Sequence, residues 1–150
     1  MRVVIQRVTK AEVKVDGAVI GSCGLGLLML AGIEEADTDE DAAWLSAKIA
    51  NLRIFSDSED KMNLSVKDVN GEMLVVSQFT LHASTQKGNR PSYIQAARPE
   101  KALPLFNMFV SMLEKESGKK VATGQFGAHM EVSMVNDGPV TIIIDTKNRQ

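Results

Sequence analysis

The chain has 150 residues, enough for one domain, and its 44% hydrophobic and 24% charged residues are proportions typical of soluble globular proteins. Its formal net charge of −2 gives no general attraction for nucleic acid, so any RNA contact has to be local. A disulfide within the chain is excluded because Cys23 is the one cysteine, and no apolar run is long enough to span a bilayer. The sequence therefore predicts a single cytoplasmic domain, residues 1–150, without membrane contact.

The N-terminal segments are typical of β-strands joined by tight turns. VVIQRV, AEVKVDG and AVIG are rich in β-branched residues, and Asp16-Gly17 is a hairpin signal between two of them. The run GLGLLMLAGI that follows is apolar enough for a buried strand. We predict that the protein opens with a β-meander.

Two amphipathic helices are predicted further along the chain. In the first, apolar residues recur at helical spacing from Leu45 to Leu52, and Thr38 can cap the N terminus. The second covers RPEKALPLFNMFVSMLEKESG and ends near Gly118. Pro104 either starts the regular part of this helix or bends its first turn.

The remaining segments predict strands. NLSVKDV and GEMLVVSQFTL bracket Asn70-Gly71, a second hairpin signal, and MEVSMV and VTIIID near the C terminus are also strand-like. Strands and helices do not alternate strictly, so the fold class is α+β. We expect a mostly β, barrel-like sheet with two main helices.

Three apparent motifs fail on their details. The run DTDED that begins at Asp37 has the spacing of a calcium loop but lacks its glycine and its closing glutamate, so an acidic helix N terminus is favoured. The glycine-rich GSCGLG leads into a strand without the Gly-Lys-Ser/Thr ending of a phosphate loop. Two histidines and one cysteine are too few and too scattered for a zinc site. We predict no metal and no cofactor.

The segment SQFTL places three polar residues, Ser77, Gln78 and Thr80, at the end of a run that is otherwise typical of a buried strand. A buried polar group without a partner costs about 1–3 kcal/mol, so these residues have either structural partners or a ligand. A serine triad is disfavoured because no Gly-x-Ser-x-Gly surrounds Ser77 and His82 would point to the opposite face of the same strand.

A second unusual segment, NDGPVT, interrupts two strand-like stretches with Gly138 and Pro139. Proline removes a ladder hydrogen bond, which predicts a break in pairing at this point. By frequency alone a trans peptide bond is favoured here, and a cis bond is the alternative.

Taken together, QRV, GLLML, RIFSD, KMNLSV, LVVSQFTL, KGNRPS, GQFGAHMEV and NDGPVT resemble the D-aminoacyl-tRNA deacylase family, also called D-tyrosyl-tRNA deacylase. The resemblance covers residues 2–145. It implies an enzyme that hydrolyses the ester between a D-amino acid, or glycine, and the terminal ribose of tRNA while sparing L-aminoacyl-tRNA. It also favours the cis bond and implies a homodimer in which the Gly138-Pro139 segment of one subunit enters the pocket of the other.

The resemblance implies a role for each of these residues. The carbonyls of Gly138 and Pro139 would capture the substrate's α-amino group, and an L side chain would then collide with this backbone whereas a D side chain would point away. Arg7, in QRV, would hold the Gly-Pro segment, or else is an ordinary edge-strand charge.

The signature segment would provide the catalytic residues Ser77, Gln78, Phe79 and Thr80. Main-chain N–H groups near Gln78, Phe79 and Thr80 would stabilise the oxyanion, and Phe79 would form a wall of the pocket. Because strand residues alternate, we expect at least one of the three polar side chains to support the backbone from behind.

The sequence leaves two alternatives for the nucleophile and two for the residues that contact RNA. Water assisted by the ribose 2′-hydroxyl is favoured over Thr80 as nucleophile, since no base for a threonine hydroxyl is evident. Lys87 and Arg90, in KGNRPS, are expected to contact phosphates of the tRNA acceptor end, although a solvated loop explains them nearly as well. The competing hypothesis is a non-catalytic RNA-binding or small-ligand module.

Overall fold

The computed structural model describes residues 1–150 and contains eight strands, two α-helices and one short 3-10 helix. In chain order these elements are β1 Arg2–Val15, β2 Ala18–Cys23, β3 Gly26–Gly32, α1 Asp39–Asn51, β4 Phe55–Ser56, β5 Met62–Leu64, β6 Glu72–Ser77, the 3-10 helix Phe79–His82, α2 Pro99–Ser117, β7 Ala122–Thr123 and β8 Glu131–Asp145. The predicted α+β class with two main helices is confirmed.

Most of the strands form one six-stranded sheet around β1. One edge of β1 pairs with β3 near its start and with β2 near its end, and the other edge pairs with β8, all antiparallel. The sheet continues from β3 to β6 and from β6 to β7 in parallel. β2 also lies against β7, where a Cβ at Gly21 would collide with the Thr123 carbonyl. The sheet is thus nearly closed, as the barrel-like prediction required.

The opening strands are arranged differently from the predicted meander. The first two segments form one 14-residue strand, β1, and β3 returns to β1 instead of pairing with β2. This is possible because β1 is long enough for its two halves to pair with different strands on the same edge. The hairpin turn at Asp16-Gly17 is confirmed, with φ of 50° and 80° at the two residues, as a two-residue turn between right-twisted strands requires.

The predicted hairpin at Asn70-Gly71 is wrong. β5 pairs with β4, and β6 pairs in parallel with β3 and β7. The intervening segment is instead held by its own backbone, since Val69 N donates to Ser65 O (3.3 Å) and Gly71 N donates to Val66 O (2.8 Å). Asn70 has the positive φ of a turn residue, 53°. The strand that follows the turn, β6, pairs with β3 and β7 and not with the strand before the turn.

Both helices have the predicted ends. Thr38 precedes α1, and its N–H donates to the Asp41 carboxylate (2.9 Å), which fixes the first turn. Gly118 ends α2 with φ of 71°, the left-handed conformation that favours glycine. Pro104 lies inside α2, so it does not start the helix. Neither helix is both long and apolar enough to cross a membrane.

Two apolar clusters lie on opposite faces of the sheet. The larger has 22 buried residues and joins both helices to the sheet, with Leu45 and Ile49 of α1 packed near Phe106 and Phe109 of α2. The smaller has 7 buried residues inside the nearly closed sheet. Successive residues of β3 alternate between the two clusters, as the pleat requires. The parallel pairing of β3 with β6 places the carboxyl ends of these two strands side by side.

Candidate active site

A cavity of about 500 Å³ opens where β3 and β6 end. Because the two strands are parallel, their carboxyl ends meet at one edge of the sheet. The helix α2 and the segment after α2 complete the walls. The lining residues are Ala31, Ile33, Ser77, Gln78, Phe79, Tyr93, Ala96, Ala97, Arg98, Pro99, Ala102, Phe106, Phe126 and Gly127.

The signature segment leaves the sheet at this edge. Gln78 N makes a last bond to Ala31 O (2.8 Å), and the chain then turns into the 3-10 helix that begins at Phe79. Gly32 permits this turn, because a Cβ there would lie 2.8 Å from Gln78 O and 3.1 Å from the Leu81 Cβ. Ser77, Gln78 and Phe79 line the cavity, whereas Thr80 does not.

The polar side chains of the signature segment are therefore not arranged by strand alternation. β6 ends at Ser77, so Ser77 and Gln78 can both face the cavity although they are neighbours. The Gln78 side-chain amide donates to the Thr80 hydroxyl, so Thr80 is bonded to a lining residue without lining the cavity itself. The expectation that His82 lies on the same strand is wrong: it is buried in the 3-10 helix, with Nδ1 3.7 Å from Glu34.

Aromatic side chains from distant parts of the chain form the apolar walls. Phe79 packs edge-on against Tyr93, with ring centroids 5.2 Å apart, and Phe106 lies 5.9 Å from Phe126. Phe79 is 56% exposed although it is large and apolar. Sequence reasoning missed Tyr93, Phe106 and Phe126 because only tertiary packing brings them to the signature segment.

The Gly138-Pro139 segment is a break in the ladder between β1 and β8. Thr141 pairs with Gln6 and Asn136 with Val8, so residues 137–140 of β8 stand opposite Arg7 alone. The Gly138–Pro139 peptide bond is cis, which confirms the expectation drawn from the resemblance.

Arg7 anchors this break within its own chain. Its Nε donates to Asp137 O (3.1 Å) and lies 3.3 Å from the Asp137 carboxylate, and its Nη1 donates to Ile54 O (2.8 Å). The Arg7 side chain is 11% exposed, so the guanidinium is enclosed by these partners. Arg7 thus contacts the Gly-Pro segment, the geometry that a holding role needs.

Within one chain, the two signature segments lie apart. Arg7 of β1 pairs with Leu27 of β3, whereas Ser77 of β6 pairs with Ala31, four residues further along β3. Four residues of strand separate these two levels of the sheet, about 13 Å. Neither Arg7, Gly138 nor Pro139 lines the cavity of its own chain.

Lys87 and Arg90 lie outside the cavity. They are exposed in a loop that is closed at its base by two backbone bonds between Ser84 and Ser92 (2.8 and 2.9 Å). The loop leads directly to Tyr93 in the cavity wall. The two cations are therefore close in sequence to a residue of the cavity wall, but neither of them lines the cavity.

The ionisable side chains clustered away from the cavity stabilise the start of α1. Lys147 lies 3.0 Å from Asp41, and the amino group of Met1 contacts Asp37, so cations hold the acidic start of α1. The first turn of α1 is acidic, as predicted. No group of three or more His, Cys, Asp or Glu side chains is arranged to hold a metal. Burial, with the Glu72 carboxylate nearby, raises the pKa of Cys23 to about 11, so that thiol stays protonated.

Sequence comparison places the chain in a known class of hydrolases. A family model described as D-Tyr-tRNA(Tyr) deacylase matches residues 4–145. The chain belongs to this deacylase family.

Curated relatives match over the full length. A D-aminoacyl-tRNA deacylase from Flavobacterium psychrophilum is 63% identical, one from Porphyromonas gingivalis 61% and one from Akkermansia muciniphila 60%, each over 150 residues and 100% of both chains. Among solved structures, "c-Myc DNA Unwinding Element Binding Protein" is 41% identical with a TM-score of 0.90, covering 97% of this chain and 98% of its own. A probable eukaryotic D-amino acid tRNA deacylase has a TM-score of 0.81 at 17% identity, over 95% and 97% of the two chains, and supports the fold alone.

Proposed function

We propose that this protein hydrolyses the ester bond of D-aminoacyl-tRNA, releases free tRNA and the amino acid, and leaves L-aminoacyl-tRNA intact. The observation that carries the proposal is the position of Ser77, Gln78 and Phe79 at the mouth of the cavity in a chain of the deacylase family. The cavity size suits the aminoacylated terminal nucleoside, and its aromatic walls can stack on a base. We include glycyl-tRNA among the substrates, because glycine carries no side chain to exclude.

The start of the 3-10 helix would stabilise the developing negative charge. Its first intrahelical bond runs from Leu81 N to Gln78 O (3.3 Å), so the N–H groups of Phe79 and Thr80 precede the bonded part of the helix. N–H groups in such a position can donate to a developing oxyanion without rearranging. The scissile carbonyl would therefore lie against the N–H groups of Phe79 and Thr80, since Gln78 N already donates to Ala31 O.

Water is the proposed nucleophile, assisted by the 2′-hydroxyl of the substrate. Thr80 lies outside the cavity lining, and its hydroxyl is already the acceptor of the Gln78 amide. A threonine nucleophile needs an adjacent base, and no such group bonds to Thr80. The ribose hydroxyl, in contrast, is next to the ester in every substrate.

Chiral selection is proposed to come from the Gly138-Pro139 segment of a partner subunit in a homodimer. The segment lies about 13 Å along the sheet from the cavity of its own chain, and Arg7 anchors it there. In the partner's cavity, its carbonyls would bind the substrate's α-amino group and exclude an L side chain by contact. Lys87 and Arg90 would bind the tRNA backbone beside the same cavity, as exposed cations do without reading sequence.

Activity can be tested with a matched pair of substrates. Purified protein is incubated with the same tRNA charged with D-tyrosine or with L-tyrosine, and with glycyl-tRNA, and released amino acid is measured against a buffer control. We expect hydrolysis of the D-tyrosyl and glycyl forms and no acceleration for the L form. Equal turnover of both enantiomers would contradict chiral selection, and tRNA binding without hydrolysis would favour a non-catalytic module.

A further inference from the structure

Arg98 is an exposed cation in the cavity wall, and its side chain has no partner. Four of the six arginines are held by hydrogen bonds from their side chains: Arg2, Arg7, Arg53 and Arg149. The Arg98 side chain makes neither a hydrogen bond nor an ion pair, even with Glu100 two residues away. It is also the single charged residue among the 14 that line the cavity.

The backbone holds Arg98 at a fixed place on the rim. Ala97 N donates to Ile33 O (2.9 Å), and Ala96 pairs with Glu34, so the strand-like segment before Arg98 is bound to the chain after β3. On its other side, Arg98 O accepts the first bonds of α2, from Lys101 N (3.0 Å) and Ala102 N (2.8 Å). The guanidinium is therefore carried by an anchored backbone in the wall of the cavity that Ser77 and Gln78 also line.

An unpaired guanidinium beside an apolar cavity is suited to an anion that arrives with the ligand. Its planar set of N–H donors matches a phosphate, and such charge-assisted bonds are about twice as strong as neutral ones. No carboxylate lines the cavity to neutralise it. In aminoacyl-tRNA, the phosphate nearest to the ester is separated from it by one ribose.

We propose that Arg98 binds the phosphate on the 5′ side of the terminal nucleoside of tRNA while the ester lies against Ser77 and Gln78. This inference rests on the proposed function and adds a specific contact to it. Arg98 is then a positioning residue, because it fixes the terminal nucleotide and does not touch the reacting ester. Lys87 and Arg90 would bind phosphates farther from the cavity.

The test compares two small substrates that differ in one phosphate: the 3′-O-(D-tyrosyl) esters of adenosine and of adenosine 5′-monophosphate. The wild type, Arg98→Ala and Arg98→Lys are assayed for kcat/KM on both. The matched control is Lys115→Ala, which also removes one positive charge but does so near the other end of α2, about 25 Å along the helix from Arg98.

We expect Arg98→Ala to lower kcat/KM for the phosphorylated substrate about tenfold, mainly through KM, and to leave the nucleoside ester unchanged. Arg98→Lys should recover part of the loss, and Lys115→Ala should affect neither substrate. Equal effects of Arg98→Ala on both substrates, or no effect on either, would overturn the inference. If the wild type hydrolyses neither substrate nor D-tyrosyl-tRNA, the proposed function fails; normal wild-type hydrolysis without the phosphate-dependent difference rejects the Arg98 contact alone.

Discussion

At the scale of single residues, Gly32 sets how closely the turn after β6 approaches β3. A Cβ at Gly32 would lie 2.8 Å from Gln78 O and 3.1 Å from both the Leu81 Cβ and the His82 ring. Two of these atoms are backbone or next to it, so they can yield only if the 3-10 helix moves. The position of the proposed oxyanion donors thus depends on the absence of one methyl group.

Gly32→Ala should therefore damage both stability and activity. We expect the free energy of unfolding to fall by about 1–3 kcal/mol, the usual cost of overpacking, and deacylation of D-tyrosyl-tRNA to fall further than the folded fraction explains. Urea unfolding and initial rates measure the two effects. Gly17→Ala is the control, because its φ of 80° costs stability through backbone strain while no atom lies near its Cβ; equal activity of the two variants would contradict this reasoning.

The role of Thr80 can be separated from that of the substrate's ribose. Since Thr80 lies outside the cavity lining, Thr80→Ala should keep deacylation within about tenfold of the wild type, whereas a 2′-deoxy terminal adenosine should lower it about 100-fold or more, the scale of acid–base assistance. Single-turnover rates are measured with the amino acid attached at the 3′ position. The reverse pattern would make Thr80 the nucleophile.

At the scale of elements, local signals in the sequence predicted the helices better than the strand pairing. The Thr38 cap, the Gly118 end of α2 and the Asp16-Gly17 hairpin depend on neighbouring residues, so they are readable from short segments. Asn70 adopts the turn conformation its residue type favours, but which strand β6 joins is decided by burial between β3 and β7. Turn chemistry cannot predict that choice.

The ion pair at the start of α1 makes the stability of the protein depend on pH. Burial opposes ionisation of Asp41, but hydrogen bonds from Thr146, Thr38 and Lys147 outweigh it and hold the pKa of Asp41 well below its ordinary value. A carboxyl with a depressed folded-state pKa contributes stability above its unfolded pKa of about 3.9 and loses it as pH falls below that value.

Asp41→Asn should lower the free energy of unfolding at pH 7 by about 1–2 kcal/mol through loss of the charged cap. The difference from the wild type should shrink as pH falls below about 4, because protonation of this carboxyl in the unfolded wild-type chain then favours unfolding, and it should vanish only once the folded carboxyl is protonated too. Urea unfolding at several pH values checks this. The control is Asp39→Asn, an exposed residue in the same turn without an ion pair; a difference for Asp41→Asn that does not change with pH would argue against the ionic contribution.

At the scale of the whole molecule, the sequence indicated the pieces of the site but not their arrangement. Ser77, Gln78 and Phe79 are recognisable by motif, and they do line the cavity. Tyr93, Arg98 and Phe126 could not be assigned to it, because they come from segments that only the folded chain brings together. The separation of Gly138 from the cavity is likewise a property of the sheet, and it underlies the central claim that a complete site needs two chains.

Mixing two defective subunits tests this claim most directly. One subunit carries Ser77→Phe, which blocks the cavity, and the other lacks Gly138 and Pro139. The deletion is compatible with the pairing of β1 and β8, because it reduces the four residues opposite Arg7 to two, the number found in an ordinary β-bulge. In the heterodimer both lesions then fall in one composite site, and the other site consists of intact parts.

Each variant alone should be inactive on D-tyrosyl-tRNA, and an equal mixture after subunit exchange should recover about a quarter of the wild-type activity, since half of the dimers are mixed and each has one intact site. Native mass measurement of the three dimer species confirms that exchange occurred. Recovery near that level is the result we expect. Heterodimers that form in the measured amounts but hydrolyse no D-tyrosyl-tRNA would contradict a site shared between two chains.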